Sequence, residues 1–137
     1  MRRTRLPILP AILLGSLLAC GNSPRDQLAK MGISFSVVNL MSAAEAGDLH
    51  VVRLFLEAGM TANGTDETRR SVVSAAASGG NPAIVSLLLE RGADPNVGDE
   101  QTRTPLMQAA SGGHAEAARL LLAHGANAQA VRADGMT

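Results

Sequence analysis

The sequence has few aromatic residues and only one cysteine. Aromatic residues make up 1% of its 137 residues, with two phenylalanines and no tryptophan or tyrosine, although 46% of the residues are hydrophobic. A core of leucine, valine and alanine suits thin layers of helix packed on helix and disfavours a deep aromatic ligand pocket. A single cysteine excludes an intramolecular disulfide.

The sequence also lacks a surplus of positive charge. Its formal net charge is zero. Three arginines, Arg2, Arg3 and Arg5, lie in the first five residues, and no acidic residue precedes Asp26. Without these three, nine basic residues face twelve acidic ones, which is a net charge of −3. Nucleic-acid binding needs clustered lysine and arginine to displace counterions. The sequence therefore predicts no nucleic-acid partner.

The first nineteen residues combine a basic start with a short apolar run. The run covers residues 6–19 and is interrupted by Pro7 and Pro10. A membrane-spanning helix needs about 20 apolar residues, so this run is too short for one. A basic start, an apolar stretch and a small residue before the cleavage point are typical of a secretory signal peptide. We therefore predict that residues 1–19 are a signal peptide.

The end of this run, Leu17-Leu18-Ala19-Cys20, resembles the lipobox of bacterial lipoproteins. The resemblance implies that Cys20 becomes the new N-terminus and carries lipid, palmitate included, on its sulfur and amine. Two or three acyl chains hold a protein firmly at a membrane. Gly21 after the cysteine implies an outer-membrane lipoprotein that faces the periplasm. The alternatives are a buried apolar cysteine or a plain signal peptide, which would give a periplasmic or secreted protein.

Residues 20–35 read as a short tether and an N-terminal cap. Ser23 is placed to cap a helix that begins at Pro24, and Gly32 is placed to end it. A second helix is predicted over residues 36–46, and Asp48 is expected to cap a third. The positions expected on the apolar face of the second helix include Val38, Met41 and Ala44.

One pattern then recurs every 33 residues. Ala43-Ala44-Glu45-Ala46-Gly47-Asp48 is followed by Ala76-Ala77-Ser78-Gly79-Gly80-Asn81 and by Ala109-Ala110-Ser111-Gly112-Gly113-His114. Each copy leads into a leucine-rich stretch that ends at a glycine. A fixed period in this range is the signature of stacked supersecondary units.

The third unit opens with Thr104-Pro105-Leu106-Met107-Gln108-Ala109, which resembles the Thr-Pro-Leu-His-x-Ala opening of the ankyrin repeat. Met107 replaces the usual histidine. The resemblance implies an all-α ankyrin-repeat solenoid of about three helix-turn-helix repeats with connecting β-hairpin loops. The repeats would cover residues 36–137, divided into 36–66, 67–99, 100–131 and the start of a fourth at 132–137.

Several positions in the repeats have a physical reason. Thr104 is placed to cap its helix, with Pro105 in the first turn. Gly92 and Gly125 are expected to end helices in the left-handed conformation, with Asp94 and Asn127 turning the chain afterwards. The small residues Ala109 and Ala110 are expected to let neighbouring helices approach closely.

The sequence offers no constellation for catalysis or metal binding. The three histidines, His50, His114 and His124, are not paired at ligand spacing. Ser78 and Ser111 precede Gly-Gly pairs, but neither lies in a Gly-x-Ser-x-Gly elbow after a strand. We therefore expect a non-enzymatic protein with no cofactor, no metal and no small-molecule substrate.

The resemblance to ankyrin repeats implies a protein partner, bound through loop tips and the inner face of the first helices. The corresponding positions are Glu45, Glu67, Thr68, Arg70, Ser78, Arg91, Glu100, Gln101, Arg103, Ser111 and His124. Three of them, Arg70, Arg91 and Arg103, are candidates to bind partner carboxylates. The alternative is that these are ordinary solvated positions.

The function expected from the sequence is a protein–protein interaction module displayed as a membrane-anchored bacterial lipoprotein. One alternative is a dedicated accessory or inhibitory subunit of a periplasmic enzyme. A second alternative is the N-terminal part of a larger enzyme.

Overall fold

The computed structural model describes residues 23–129, which form seven helices and no strands. These helices are α1 (Pro24–Lys30), α2 (Val37–Ala46), α3 (Leu49–Glu57), α4 (Val72–Gly79), α5 (Pro82–Glu90), α6 (Pro105–Ser111) and α7 (Ala115–Ala123). The predictions for the signal peptide, Cys20 and residues 132–137 lie outside the described residues.

Polar side chains cap the helices at the predicted places. Thr104 Oγ1 accepts a hydrogen bond from the Met107 amide at 3.4 Å, and Asp48 Oδ1 accepts one from the Val51 amide at 3.1 Å. Ser23 caps α1 in the same way. These bonds satisfy amides that have no partner inside their own helix. The predicted helix starts are therefore confirmed.

The helices form two layers of repeating pairs. The first helices, α2, α4 and α6, pack side by side, and the second helices, α3, α5 and α7, lie behind them, with α1 packed on α3. The first helices approach closely at their C-terminal ends, where a Cβ added at Gly79 would lie 2.2 Å from the Glu45 carbonyl oxygen. At the other end, a Cβ on Gly64 would contact both Val37 and Val72. Helices α2 and α4 therefore run in the same direction.

The core consists mainly of leucine, valine and alanine, as predicted. Phe55 is the largest fully buried side chain, and its ring stacks on Phe35 with a centroid distance of 5.6 Å. Val38 was expected on the apolar face of α2, and this expectation was wrong because its side chain is 61% exposed. Its spacing from Ser42 and Glu45 places all three on the solvent side of the helix.

Burial falls at the C-terminal end of the stack. Leu122 is 47% exposed, although the residue one period earlier, Leu89, is buried. Of the two alanines expected to let helices approach closely, Ala109 is buried and Ala110 is exposed. Within residues 23–129, no further helix packs on this side of α6 and α7.

The connections between units are tight polar turns. Gly92 and Gly125 have φ angles of 90° and 95°, which confirms the predicted left-handed helix ends. The loops that follow close through backbone hydrogen bonds, such as the 3.1 Å bond from the Asp99 amide to the Arg103 carbonyl. Among the described residues the only β-type pairing outside helices is one antiparallel bridge between Thr65 and Ser71. The hairpin loops are therefore turns with almost no strand.

Candidate protein-binding surface

Two neighbouring loops and one exposed stripe of helix α2 are linked by hydrogen bonds, and we call them together the inner face. Loop 65–70 precedes α4, loop 98–103 precedes α6, and the stripe on α2 consists of Val38, Ser42 and Glu45. The two loops are one 33-residue period apart, so the same backbone design presents different side chains at each tip.

Asp66 holds the first loop in shape. Its Oδ1 accepts hydrogen bonds from the Thr68 amide at 2.8 Å, the Thr68 hydroxyl at 2.7 Å and the Arg70 amide at 3.0 Å. Burial opposes its ionisation, but the Thr68 side chain and these amides outweigh that effect and hold the pKa of Asp66 below its usual value. The carboxylate is therefore ionised at neutral pH and fixes the turn.

Asp99 does the same in the second loop. Its Oδ1 accepts from the Gln101 amide at 2.8 Å and the Arg103 amide at 3.0 Å, and its Oδ2 accepts from Arg103 Nε at 2.9 Å. Burial would raise the pKa of Asp99, but the Arg103 amide, the Arg103 side chain and the Gln101 amide together lower it. Neither aspartate was among the predicted site residues, although the spacing Asp66 to Arg70 and Asp99 to Arg103 repeats in the sequence.

The two loops touch at their tips. The Glu100 amide donates a 3.1 Å hydrogen bond to the Thr68 carbonyl. Beside this contact lies a shallow depression of about 260 Å³, lined by Thr68, Asp99, Glu100, Gln101 and Arg103. Four of these lining residues, all except Asp99, were predicted to bind a partner, and the structure brings them together.

Glu45 and Arg70, both predicted to contact a partner, form an ion pair with each other. The guanidinium donates from its two terminal nitrogens to the two carboxylate oxygens, at 3.1 Å and 3.3 Å. Arg70 comes just before α4, whereas Glu45 lies near the end of α2. The Arg70 side chain therefore extends along the exposed side of the first helices and links two neighbouring units.

Glu67 is exposed in the first loop, next to Thr68, and the other four predicted residues fall into two groups. Ser78 and Ser111 lie at the ends of α4 and α6, and the Ser78 carbonyl accepts a 3.0 Å hydrogen bond from His114 Nε2 in the next unit. Arg91 and His124 follow the last residues of α5 and α7, in the second layer. They are therefore separate from the loop tips. Whether any predicted residue contacts a partner stays a prediction.

Two asparagines that were not predicted join the units at the base of the loops. Asn63 Nδ2 donates to the Gly92 carbonyl at 2.9 Å, and Asn96 Nδ2 donates to the Gly125 carbonyl at 3.0 Å. The signal for them was present, because the two residues are 33 positions apart and each follows a turn residue by two positions.

Residues 23–129 offer neither a metal-binding cluster nor a membrane-spanning helix. These residues contain no group of three or more histidine, cysteine, aspartate or glutamate side chains that could hold a metal ion. None of the helices described there is long and apolar enough to cross a membrane.

Stacked helix pairs joined by polar loops define the class of α-helical repeat proteins. The all-α prediction is therefore confirmed. Within that class, the family of ankyrin repeats matches residues 40–135 in three copies, so the chain belongs to the ankyrin repeat family. No match was found among curated proteins. Ankyrin repeats are generally protein-interaction modules.

Proposed function

We propose that this chain is a non-enzymatic binding module for a protein partner, held by lipid on Cys20 at the periplasmic face of the outer membrane. The inner face is the binding surface in this proposal. The observation that carries it is the pair of loops held in shape by Asp66 and Asp99. These loops present exposed polar side chains at adjacent tips of an ankyrin stack.

The rigidity of the loops supports a binding role. Each aspartate anchors its loop through two backbone amides, and the two tips are joined by the Glu100–Thr68 hydrogen bond. Ordering a loop on binding costs free energy, so loops that are already ordered keep more of the interaction energy as affinity. Exposed side chains such as Glu67 and Gln101 are thereby presented on a fixed frame.

The proposed anchor rests on the sequence around Cys20 and on its distance from the first helix. The lipobox resemblance supports lipidation, and only two residues separate Cys20 from Ser23, which caps α1. An extended chain spans at most about 3.5 Å per residue, so the first helix would begin within roughly 14 Å of the anchor. Such an array would be held close to the membrane by its N-terminal end.

Crosslinking in intact cells tests the binding role. A photoreactive amino acid at Thr68 or Gln101 should capture a partner protein, whereas the same residue at Arg53 or Glu57, exposed on α3, should not. Capture of one protein in stoichiometric yield would favour a dedicated accessory or inhibitory subunit. Equal capture at all four positions, or none, would contradict the proposal.

Lipid labelling tests the anchor separately. Labelled palmitate should enter the full-length chain and not the Cys20→Ala variant, which should leave the membrane fraction. Equal labelling of the two chains would disprove the anchor and leave the binding role untouched.

A further inference from the structure

We infer that the partner segment seated on the inner face is basic and carries an apolar side chain. This inference rests on the proposed function, because it assumes that the inner face binds a protein. It goes further in naming the chemistry of what is bound.

Arg70 and Arg103 are already bound to carboxylates of the same chain. Arg70 makes a two-point ion pair with Glu45, and Arg103 binds Asp99 through Nε at 2.9 Å and a terminal nitrogen at 2.8 Å. A carboxylate on a partner would have to compete with these internal carboxylates. The two loop arginines that the sequence offered for acidic partners therefore serve to shape the surface.

The inner face has more negative than positive side chains. The inner face carries five carboxylates, Glu45, Asp66, Glu67, Asp99 and Glu100, against three guanidinium groups, Arg69, Arg70 and Arg103. Helices α4 and α6 add no charged residue. Glu67 and Glu100 are exposed, and neither forms an ion pair with any other described residue. A surface with a charge surplus of this sign attracts and orients a basic partner.

Val38 offers an apolar contact on the inner face. Its side chain is 61% exposed, more than any other large hydrophobic residue in the described part of the chain. It shares one stripe of α2 with Glu45, whose carboxylate bonds Arg70 at the end of the first loop. The inner face therefore combines one exposed apolar side chain with the glutamates of the two loop tips. Interfaces typically place apolar contacts at the centre and charges at the rim.

The depression between the two tips offers a place for a cation. It is lined by Thr68, Asp99, Glu100 and Gln101, with Arg103 held against Asp99. No described residue forms an ion pair with Glu100. A lysine or arginine side chain from a partner can place its cation beside Glu100, whose amide bonds the carbonyl of Thr68, the residue after Glu67.

Two synthetic peptides of equal length test the inference. Each has one central leucine, and the flanking positions alternate serine with lysine in one peptide and serine with glutamate in the other. The full-length chain should bind the lysine peptide at least about tenfold more tightly, and added salt should reduce the difference, as expected for exposed charges. Fluorescence anisotropy measures both affinities.

Matched variants locate the effect. Glu67→Lys combined with Glu100→Lys should abolish the preference for the lysine peptide. Glu57→Lys combined with Glu90→Lys makes the same charge change at two exposed residues one period apart in the second layer, and should preserve the preference. Val38→Ser should weaken binding of both peptides, and circular dichroism checks that every variant is folded.

The inference is overturned if neither peptide binds, if the glutamate peptide binds as well as the lysine peptide, or if both double variants behave alike. Its failure is distinguishable from failure of the proposed function. A partner protein crosslinked to position 68 through an acidic or neutral segment would sustain the binding role and refute the basic segment.

Discussion

Asn63 and Asn96, one period apart, make the same two hydrogen bonds to the unit that follows each of them. Each amide nitrogen donates to a glycine carbonyl, and each amide oxygen accepts from a backbone amide, Asp94 at 2.8 Å for Asn63 and Asn127 at 2.7 Å for Asn96. These are the polar counterparts of the apolar contacts between helices. They fix the distance between successive loops.

Replacing Asn96 should therefore loosen the junction between the second and third units. Asn96→Ala removes two exposed hydrogen bonds, and we expect a loss of about 1–2 kcal/mol in the free energy of unfolding. Urea denaturation measures it. Asn39→Ala is the control, since the Asn39 side chain bonds only the nearby Ser34 carbonyl, and an equal loss there would contradict a junction role.

Ser74 should be replaceable with a gain in stability. Its hydroxyl is buried and has no hydrogen-bond partner among the described residues, and the residues one period before and after it are Met41 and Met107. The Ser74→Ala variant removes an unsatisfied buried hydroxyl and places alanine, a strong helix former, in α4. It should therefore raise the free energy of unfolding by about 1 kcal/mol.

The neighbouring Ser71 provides the contrast for this prediction. Its hydroxyl caps α4 through the Ser74 amide at 3.1 Å. Ser71→Ala should therefore lower the free energy of unfolding by about 1 kcal/mol. If the two serine variants shifted the urea midpoint in the same direction, the assignment of the two hydroxyls would be wrong.

Acid should weaken the loops. The pKa values of Asp66 and Asp99 lie below the unfolded value in the folded chain. Each carboxylate therefore contributes stability above about pH 4, and this contribution is lost as the pH falls through the lower folded pKa.

The double variant Asp66→Asn with Asp99→Asn should be less stable than the native chain at neutral pH and closer to it near pH 3. Urea unfolding across this range measures both curves. Parallel curves would show that the two carboxylates do not carry the pH dependence.

The middle and the C-terminal end of the stack should differ in their tolerance of leucine truncation. Leu89 is 6% exposed, so Leu89→Ala should cost about 2–5 kcal/mol. Leu122 occupies the same position one period later but is half exposed, and Leu122→Ala should cost much less. Amide hydrogen exchange should likewise be faster in α7 than in α5. Equal costs would mean that the face around Leu122 is covered in solution.

Much of this fold could be predicted from the sequence because its signals are local. The caps at Ser23 and Thr104 and the glycine helix ends depend on a few adjacent residues, and the 33-residue period carries them from one unit to the next. The period also implied that loop residues such as Thr68 and Gln101 would come together.

Side-chain contacts between neighbouring units could not be predicted from the sequence, because they depend on the path that each side chain takes. Glu45 and Arg70 are 25 residues apart, and each was predicted separately to contact a partner. Only the parallel packing of α2 and α4 shows that they neutralise each other. Val38 was misplaced for a related reason, because the apolar spacing on α2 fits two faces of the helix and the packing of α4 selects one.

The backbone at the two loop tips has a further consequence. Arg69 and Thr102 have φ angles of 60° and 57°, in the left-handed region where residues with a side chain are disfavoured by about 1 kcal/mol or more. One period later, the sequence has Gly135, the residue that adopts such angles without strain. Arg69→Gly and Thr102→Gly should therefore each make the chain more stable. Under the proposed function, Arg69 and Thr102 keep their side chains at the two tips for recognition, at a cost in stability.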